Sequence, residues 1–158
     1  MSESKYGKYI CTELKKDIKL PGFKGNQVIR QGTVNGKRVP LEHIIWMDSE
    51  VISGAFYSEI MWAWPTMHKL TPEEMATRPG VPPHTHPFPE VMAYFGTDMK
   101  NPSYLGGEIE LWIDDEKFIL DKSFMAYFPA GMKHCPLRHL WSDKPMFHFT
   151  MGPGQTYR

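Results

Sequence analysis

The sequence predicts an all-β domain, because short apolar segments of strand length follow one another and are separated by turn residues. Fourteen prolines and thirteen glycines are spread along the chain and are not concentrated in one linker. Long helical periodicity is scarce, whereas several segments alternate apolar and polar side chains, as a strand with one buried face does. Many short strands at this spacing are typical of a β-sandwich or β-barrel.

The N-terminal part carries the clearest hairpin pattern of the chain. Segments 28–34 and 37–45 are strand candidates, and Asn35-Gly36 between them favours a tight two-residue turn. A lysine-rich lead precedes this hairpin, so residues 1–45 are predicted to form an arm and hairpin. Such an arm packs on the barrel or is exchanged within a dimer. The barrel itself is expected to comprise residues 46–158.

The remaining elements are one short helix and a series of strands. A helix is predicted to start at Thr71, which is suited to the N-cap position, with Pro72 in the first turn and Glu74 completing a capping box. In segment 108–113, glutamate and tryptophan share one face, and isoleucine and leucine share the other. The strand candidates after the hairpin are 54–64, 90–95, 108–113, 117–120, 124–128 and 145–151.

Composition and charge restrict the class of protein. A chain of 158 residues with 41% hydrophobic residues is suited to one domain with a sizeable core. Eighteen basic and eighteen acidic residues cancel, which gives no electrostatic reason to expect nucleic acid or an anionic membrane as a partner. The same balance makes self-association easier, so a homodimer is expected. Two distant cysteines and a charged N-terminus without an apolar core predict a cytoplasmic protein.

Two segments carry the residues with metal-binding chemistry. His84 and His86 are two positions apart, so in extended backbone their imidazoles point to the same side, about 6.6 Å apart along the chain. Glu90 follows after two prolines that favour a bend, and it can then face the same interior. His134 follows a Pro-Ala-Gly turn and begins a new strand. Imidazole and carboxylate ligands in this number suit a divalent metal ion.

These residues form the pattern His-x-His-x-x-x-Glu followed by Pro-x-Gly-x-x-His, which resembles the two motifs of the cupin superfamily. Gly96 resembles the glycine that closes the first motif, although it comes one residue early. Leu137 and Arg138 stand where the second motif often has an asparagine. The resemblance implies a cupin-type jelly-roll β-barrel that binds one metal ion through His84, His86, Glu90 and His134.

The resemblance implies a fold and a metal site, and it leaves the reaction open. The leading hypothesis is a metal-dependent enzyme acting on a small polar or carboxylated metabolite, of dioxygenase or of lyase/isomerase type. The metal can be iron, manganese, nickel, zinc or cobalt. One alternative is a non-catalytic, metal-loaded cupin that binds or senses a small molecule. A purely structural scaffold would leave three inward imidazoles and a carboxylate unexplained.

Two further residues are candidates for contact with a substrate. If Glu90 points inward, alternation places Tyr94 on the same face, where its hydroxyl can act as a general acid or base or bind substrate. The alternative is a tyrosine that only fills the core. In the last strand, His148 faces inward or outward depending on register, and we expect it to face inward. Cys135 follows His134 directly and is therefore expected to point away from the metal into the core.

Overall fold

The computed structural model describes residues 5–16, 18, 32–34, 37–38, 40–77 and 80–156. Within them, a 3-10 helix spans Gly7–Tyr9 and helix α1 spans Pro72–Thr77. The strands are β1 Thr33–Val34, β2 Lys37–Arg38, β3 Leu41–Met47, β4 Ser58–Ala63, β5 Glu90–Gly96, β6 Tyr104–Ile113, β7 Glu116–Lys122, β8 Phe124–Phe128, β9 His134–Ser142 and β10 Met146–Met151. The predicted turn at Asn35-Gly36 and the predicted strand residues 28–31 lie outside the described residues.

Two antiparallel sheets form the body of the molecule. The larger sheet has five strands in the order β3-β4-β10-β5-β8, and the smaller has three in the order β7-β6-β9. The main core contains apolar side chains from both sheets, among them Met92 and Met146 from the larger and Ile109, Leu111 and Leu137 from the smaller. The core therefore lies between the two sheets, and the all-β prediction is confirmed.

Alternation along the strands decides which side chains face the core. On β10, Met146, His148 and Thr150 are buried, whereas the residues between them are half-buried on the opposite face. On β4, Glu59 and Met61 are likewise buried among half-buried neighbours. These patterns follow the two-residue period of a strand, and they place His148 inward as expected.

The N-terminal segment is attached to the barrel beside β3. Ile18 is buried against Trp46 and Tyr57, and Leu14 packs on the same small cluster. Lys15 Nζ lies 2.6 Å from a carboxylate oxygen of Asp48. Strand β3, Leu41–Met47, runs across the predicted boundary at residue 45 as part of the five-stranded sheet. The division into an arm and a barrel remains a prediction.

Helix α1 begins with the predicted capping box. The backbone N–H of Glu74 donates to Thr71 Oγ1 at 3.2 Å, and the N–H of Thr71 donates to Glu74 Oε2 at 3.0 Å. These two bonds satisfy backbone donors that the first turn leaves without a helical partner. Among the described residues, no helix combines the length and apolar character that a bilayer crossing requires.

Gly96 lies where the end of β5 passes the start of β6. A Cβ atom at this position would lie 1.9 Å from the Tyr104 carbonyl oxygen, which belongs to backbone and cannot rotate away. We expect Gly96→Ala to lower the free energy of unfolding by about 2 kcal/mol or more. Gly54→Ala is the control, because no atom lies near its Cβ position and only its positive φ of 83° opposes alanine, at a cost of about 1 kcal/mol. Urea unfolding of both variants checks this, and equal losses would contradict the steric explanation.

Candidate metal centre

The four predicted ligand residues come together from three parts of the fold. His84 and His86 lie in the connection between α1 and β5, and Glu90 is the first residue of β5 in the larger sheet. His134 is the first residue of β9 in the smaller sheet. A pair of backbone hydrogen bonds of 3.1 Å joins His84 to His134 in both directions. The site therefore bridges the two sheets at one end of the core.

The ligand atoms of these residues point to a common place. Each of the four residues offers one nitrogen or oxygen atom such that all four atoms lie within 4.8 Å of one another. Glu90 Oε2 lies 3.1 Å from His134 Nε2 and 3.4 Å from His86 Nε2. Three of the residues are buried, whereas His84 is half-buried. Of the four, His84 therefore has the most contact with solvent.

Backbone carbonyls fix the orientation of all three imidazoles. Nδ1 of His84 lies 2.9 Å from the Pro82 oxygen, and Nδ1 of His134 lies 3.0 Å from the Met132 oxygen. Nδ1 of His86 lies 2.5 Å from the Phe88 oxygen. A carbonyl only accepts, so each Nδ1 carries the proton and donates it. The Nε2 atoms keep their lone pairs on the side of Glu90, as in histidines that bind metals.

Two phenylalanines hold the buried rings in place. Phe88 stacks on His86 with ring centroids 4.4 Å apart, and Phe128 stacks on His134 with centroids 4.3 Å apart and planes only 7° from parallel. Phe128 is fully buried. The sequence interpretation did not single out either phenylalanine. The sequence carries little signal for such stacking. Phe128 stands on β8 and contacts His134 only through tertiary packing.

The protonation of the site follows from burial and from the mutual attraction of its groups. Burial would raise the pKa of the Glu90 carboxyl, but the adjacent His134 and His86 rings outweigh burial and hold that pKa below its usual value. Burial lowers the pKa of His84. Burial would also lower the pKa of His86, but the Glu90 carboxylate outweighs burial and raises it. The site thus presents a carboxylate anion at neutral pH.

The residues fit a divalent cation because two of their buried polar atoms are otherwise unsatisfied. Glu90 Oε1 and His134 Nε2 are buried and have no hydrogen-bond partner within the described part of the chain. A buried polar atom without a partner costs roughly 1–3 kcal/mol, and more when it is charged. Three imidazole nitrogens and one carboxylate oxygen are a common ligand set for first-row transition metals. A cation held among them would satisfy both atoms.

Tyr94 and His148 contact each other, at a distance from this centre. Tyr94 lies about 13 Å further along β5 than Glu90, and its ring stacks on His148 with centroids 4.1 Å apart. Nδ1 of His148 donates to the Ala93 carbonyl at 3.0 Å, and Nε2 accepts from Thr150 Oγ1 at 3.1 Å. Burial raises the pKa of Tyr94, so its phenol stays protonated. Neither of these two hydrogen bonds of His148 goes to one of the four ligand side chains.

Acid is expected to destabilise the protein through His148. Burial lowers the pKa of this imidazole to about 4, whereas an exposed histidine titrates near 6.5. Below about pH 6.5 the unfolded chain binds a proton at this imidazole and the folded chain does not, so the free energy of unfolding falls as the pH falls toward 4. Between pH 7 and pH 5, the free energy of unfolding of wild type should fall by about 2 kcal/mol more than that of His148→Gln. Urea unfolding at each pH measures this difference, and His68→Gln, which changes an exposed histidine, is the control. If the free energy of unfolding of wild type and His148→Gln depends on pH in the same way, the prediction is contradicted.

A second polar cluster lies on the inner face of the larger sheet. Glu59 is only 8% exposed, and its Oε1 accepts a hydrogen bond of 2.8 Å from the Tyr57 hydroxyl. Its Oε2 lies 3.3 Å from His43 Nε2. Thr150 stands opposite Glu59 in the sheet and links the cluster to His148. The sequence interpretation assigned no function to His43 or Glu59, because neither residue belongs to a recognisable motif.

Cys135 lies in the core as expected, and two further histidines lie away from the centre. Cys135 is buried in the main core, and burial raises the pKa of its thiol. His68 is exposed and contacts Glu74, and His139 Nε2 lies 2.9 Å from Ser142 Oγ. These residues take no part in the centre.

Comparison with known proteins gives matches among solved structures alone. No family model matches the chain, and no curated protein matches it. The DMSP lyase DddQ from Ruegeria pomeroyi DSS-3 is 16% identical, with 77% of this chain and 43% of that chain covered and a TM-score of 0.37. The present chain thus spans less than half of the length of that lyase.

Two further structures are similar to a comparable degree. A predicted oxalate decarboxylase from Thermotoga maritima is 13% identical over 71% of this chain and 77% of that chain, with a TM-score of 0.43. An RmlC-like cupin from Shewanella frigidimarina NCIMB 400 is 11% identical over 85% of this chain and 92% of that chain, with a TM-score of 0.39.

The internal geometry is what the two sequence motifs lead us to expect. Glu90 of the first motif stands on the larger sheet, and His134 of the second motif stands on the smaller sheet, facing Glu90 across the core. The motif glycine, Gly96, allows β5 to pass close to β6. With two antiparallel sheets and both motifs meeting at one end of the core, the chain has the cupin-type fold that its sequence predicts.

Proposed function

We propose that this chain is a metal-dependent enzyme that acts on a small polar or carboxylated molecule. The observation that carries this proposal is the convergence of His84, His86, Glu90 and His134, whose ligand atoms lie within 4.8 Å of one another. Two buried polar atoms of these residues, Glu90 Oε1 and His134 Nε2, have no hydrogen-bond partner among the described residues. The four residues would hold one ion of iron, manganese, nickel, zinc or cobalt.

When bound, a divalent ion at this site would supply Lewis-acid polarisation of a substrate oxygen. The chain itself would hold the imidazoles in fixed orientations and leave a route by which a small molecule reaches the site. Phe88 and Phe128 stack on two of the imidazoles, and the backbone carbonyls fix their tautomers, so little reorganisation accompanies binding. Because His84 is the half-buried member, a small molecule would reach the site from its side.

The inner polar cluster would select the substrate. Glu59 is a buried carboxylate on the same inner sheet face as Glu90, and Thr150 and His148 stand between their strands. Such groups bind hydroxyl or other donor groups of a ligand and would discriminate against an apolar one. Tyr94, kept as a phenol by burial, would donate a hydrogen bond, and His148 would hold its ring in position.

A turnover assay tests the enzymatic function. The metal-loaded protein is incubated with small carboxylic acids, phenols and sugars, and products are read by mass spectrometry, with and without oxygen. We expect conversion of at least one compound, which is lost in Glu90→Gln and reduced in Tyr94→Phe with its metal retained. Loss of activity without oxygen would indicate an oxygenase, and retention would indicate a lyase or isomerase. A compound that binds and is never altered would indicate the non-catalytic binding protein instead.

The proposal also includes a cellular location and an oligomeric state. Both Cys11 and Cys135 are free thiols, and a cytoplasmic location agrees with this state. A homodimer agrees with the zero net charge.

A further inference from the structure

Part of the N-terminal segment packs on a cluster that also contacts the candidate metal centre. Ile18 is only 5% exposed and is buried with Trp46 and Tyr57, whose rings lie 5.0 Å apart. Phe88 packs on the same small cluster, and its ring stacks on the ligand residue His86. The strap is defined here by Leu14, Lys15 and Ile18. The strap and the metal centre therefore share one set of contacts.

Lys15 attaches the strap through charged groups that are largely removed from water. Its Nζ lies 2.6 Å from Asp48 Oδ2 and 2.6 Å from Glu50 Oε2. Asp48 is only 1% exposed, and the same Oδ2 accepts a hydrogen bond of 2.9 Å from Trp46 Nε1. Burial would lower the pKa of Lys15, but the two carboxylates outweigh burial and raise it, so the ammonium group stays charged. Loss of one partner of a buried ion pair leaves an uncompensated charge, so Lys15 holds the strap on the cluster.

Phe88 has little room to turn away from His86. The planes of the two rings are only 11° from parallel. Cβ atoms at Gly152 and Gly154 would lie 2.8 Å and 2.6 Å from opposite edges of the phenylalanine ring, so both glycines lie close against it. Two backbone hydrogen bonds, of 2.8 Å and 3.1 Å, join this glycine segment to Tyr57. The position of Phe88 thus depends on the cluster to which the strap is attached.

We propose that Lys15 is a positioning residue for the metal centre, because it holds the strap on the cluster and thereby holds Phe88 against His86. The inference rests on the metal centre of the proposed function and adds a residue that lies outside both sequence motifs. Each step between Lys15 and His86 is a direct contact between packed, stacked or hydrogen-bonded groups. With the strap attached, His86 stays oriented and a bound ion leaves slowly. With the strap detached, Phe88 gains freedom to turn and the ion leaves faster.

The rate of metal release measures this role. The protein is loaded with cobalt(II), and transfer of the ion to an excess of chelator is followed by its visible absorption. We expect Lys15→Met to release the ion about threefold to tenfold faster than wild type, because single changes along a coupled network alter an equilibrium by roughly two- to thirtyfold. Lys15→Arg keeps the charge and should restore a rate close to that of wild type. Lys144→Met is the matched control, since Lys144 makes an ion pair of the same 2.6 Å length with Asp98, beyond the other end of β5 from Glu90.

A double-mutant cycle shows whether Lys15 acts through Phe88. Phe88→Leu removes the stacking on His86 and should itself speed release of the ion. In that background, Lys15→Met should have little further effect, because both changes act on one contact. Thermal melting of the cobalt-free variants confirms that each is folded. Effects of the two changes that simply multiply would show that Lys15 does not act through Phe88, and the positioning role would be wrong.

A second result would also overturn the inference while leaving the metal centre intact. This result is a chain that binds one ion per molecule and releases it at the same rate in wild type and in Lys15→Met. A wild-type chain that takes up no cobalt at all would instead contradict the proposed metal centre, and the role of Lys15 would be refuted with it.

Discussion

Replacement of His134 by alanine is expected to remove bound metal almost completely. This imidazole is fully buried, and its Nε2 lies 3.1 Å from the Glu90 carboxylate without a hydrogen-bond partner among the described residues. Even loss of groups that only support metal ligands weakens binding 10–100-fold, so loss of a ligand should weaken it by at least about 100-fold. Metal content after dialysis, measured by mass spectrometry of the elements, checks this.

Two further variants make the result specific to the site. Glu90→Gln keeps the shape of the side chain and removes its charge, so it should also weaken binding while the protein stays folded. His68→Ala removes an exposed histidine outside the centre and should leave the metal content unchanged. Wild-type metal content in His134→Ala would show that this residue is not a ligand.

Removal of the metal from the wild-type protein is expected to lower its thermal stability strongly. A ligand that binds only the folded state stabilises it by about 4 kcal/mol when its free concentration is 1,000 times the dissociation constant. For a chain of this size, 1 kcal/mol corresponds to about 2–4 °C, so a chelator should lower the melting temperature by about 10 °C. Without the ion, the Glu90 carboxylate is left buried beside the His134 Nε2 atom, which has no hydrogen-bond partner in the described part of the chain.

The same experiment contains its own controls. Addition of excess divalent metal after chelation should restore the melting temperature. His134→Ala should melt at a temperature that the chelator does not change, because it holds no metal to lose. A wild-type melting curve that chelator leaves unmoved would contradict a tightly held ion.

The strands and part of the candidate ligand group could be predicted because their signals are local. His84 and His86 are two residues apart, so extended backbone points their imidazoles to the same side. Glu90 joined them on the expectation of a bend at the intervening prolines, and the full set with His134 was what the motif resemblance implied. The capping box at Thr71 and Glu74 is local in the same way and formed as predicted. Alternation on β10 placed His148 on one face with Met146 and Thr150, and the structure shows that this face is the inner one.

The supporting contacts could not be predicted, because they depend on pairing between distant segments. The backbone bridge between His84 and His134 joins two segments that are far apart in the sequence. The stacking of Phe128 on His134 requires β8 and β9 to meet at that bridge. The buried Glu59, paired with Tyr57 and His43, breaks the rule that a charged residue in a strand faces water. Such exceptions to local patterns are expected at functional sites.

Elemental analysis of the purified chain tests the central claim most directly. The structure predicts about one first-row divalent ion per chain, retained through dialysis and lost when His134 is replaced. A chain that carries no metal, and that takes up none when iron, manganese, nickel, zinc and cobalt are each offered, would contradict a metal centre at His84, His86, Glu90 and His134.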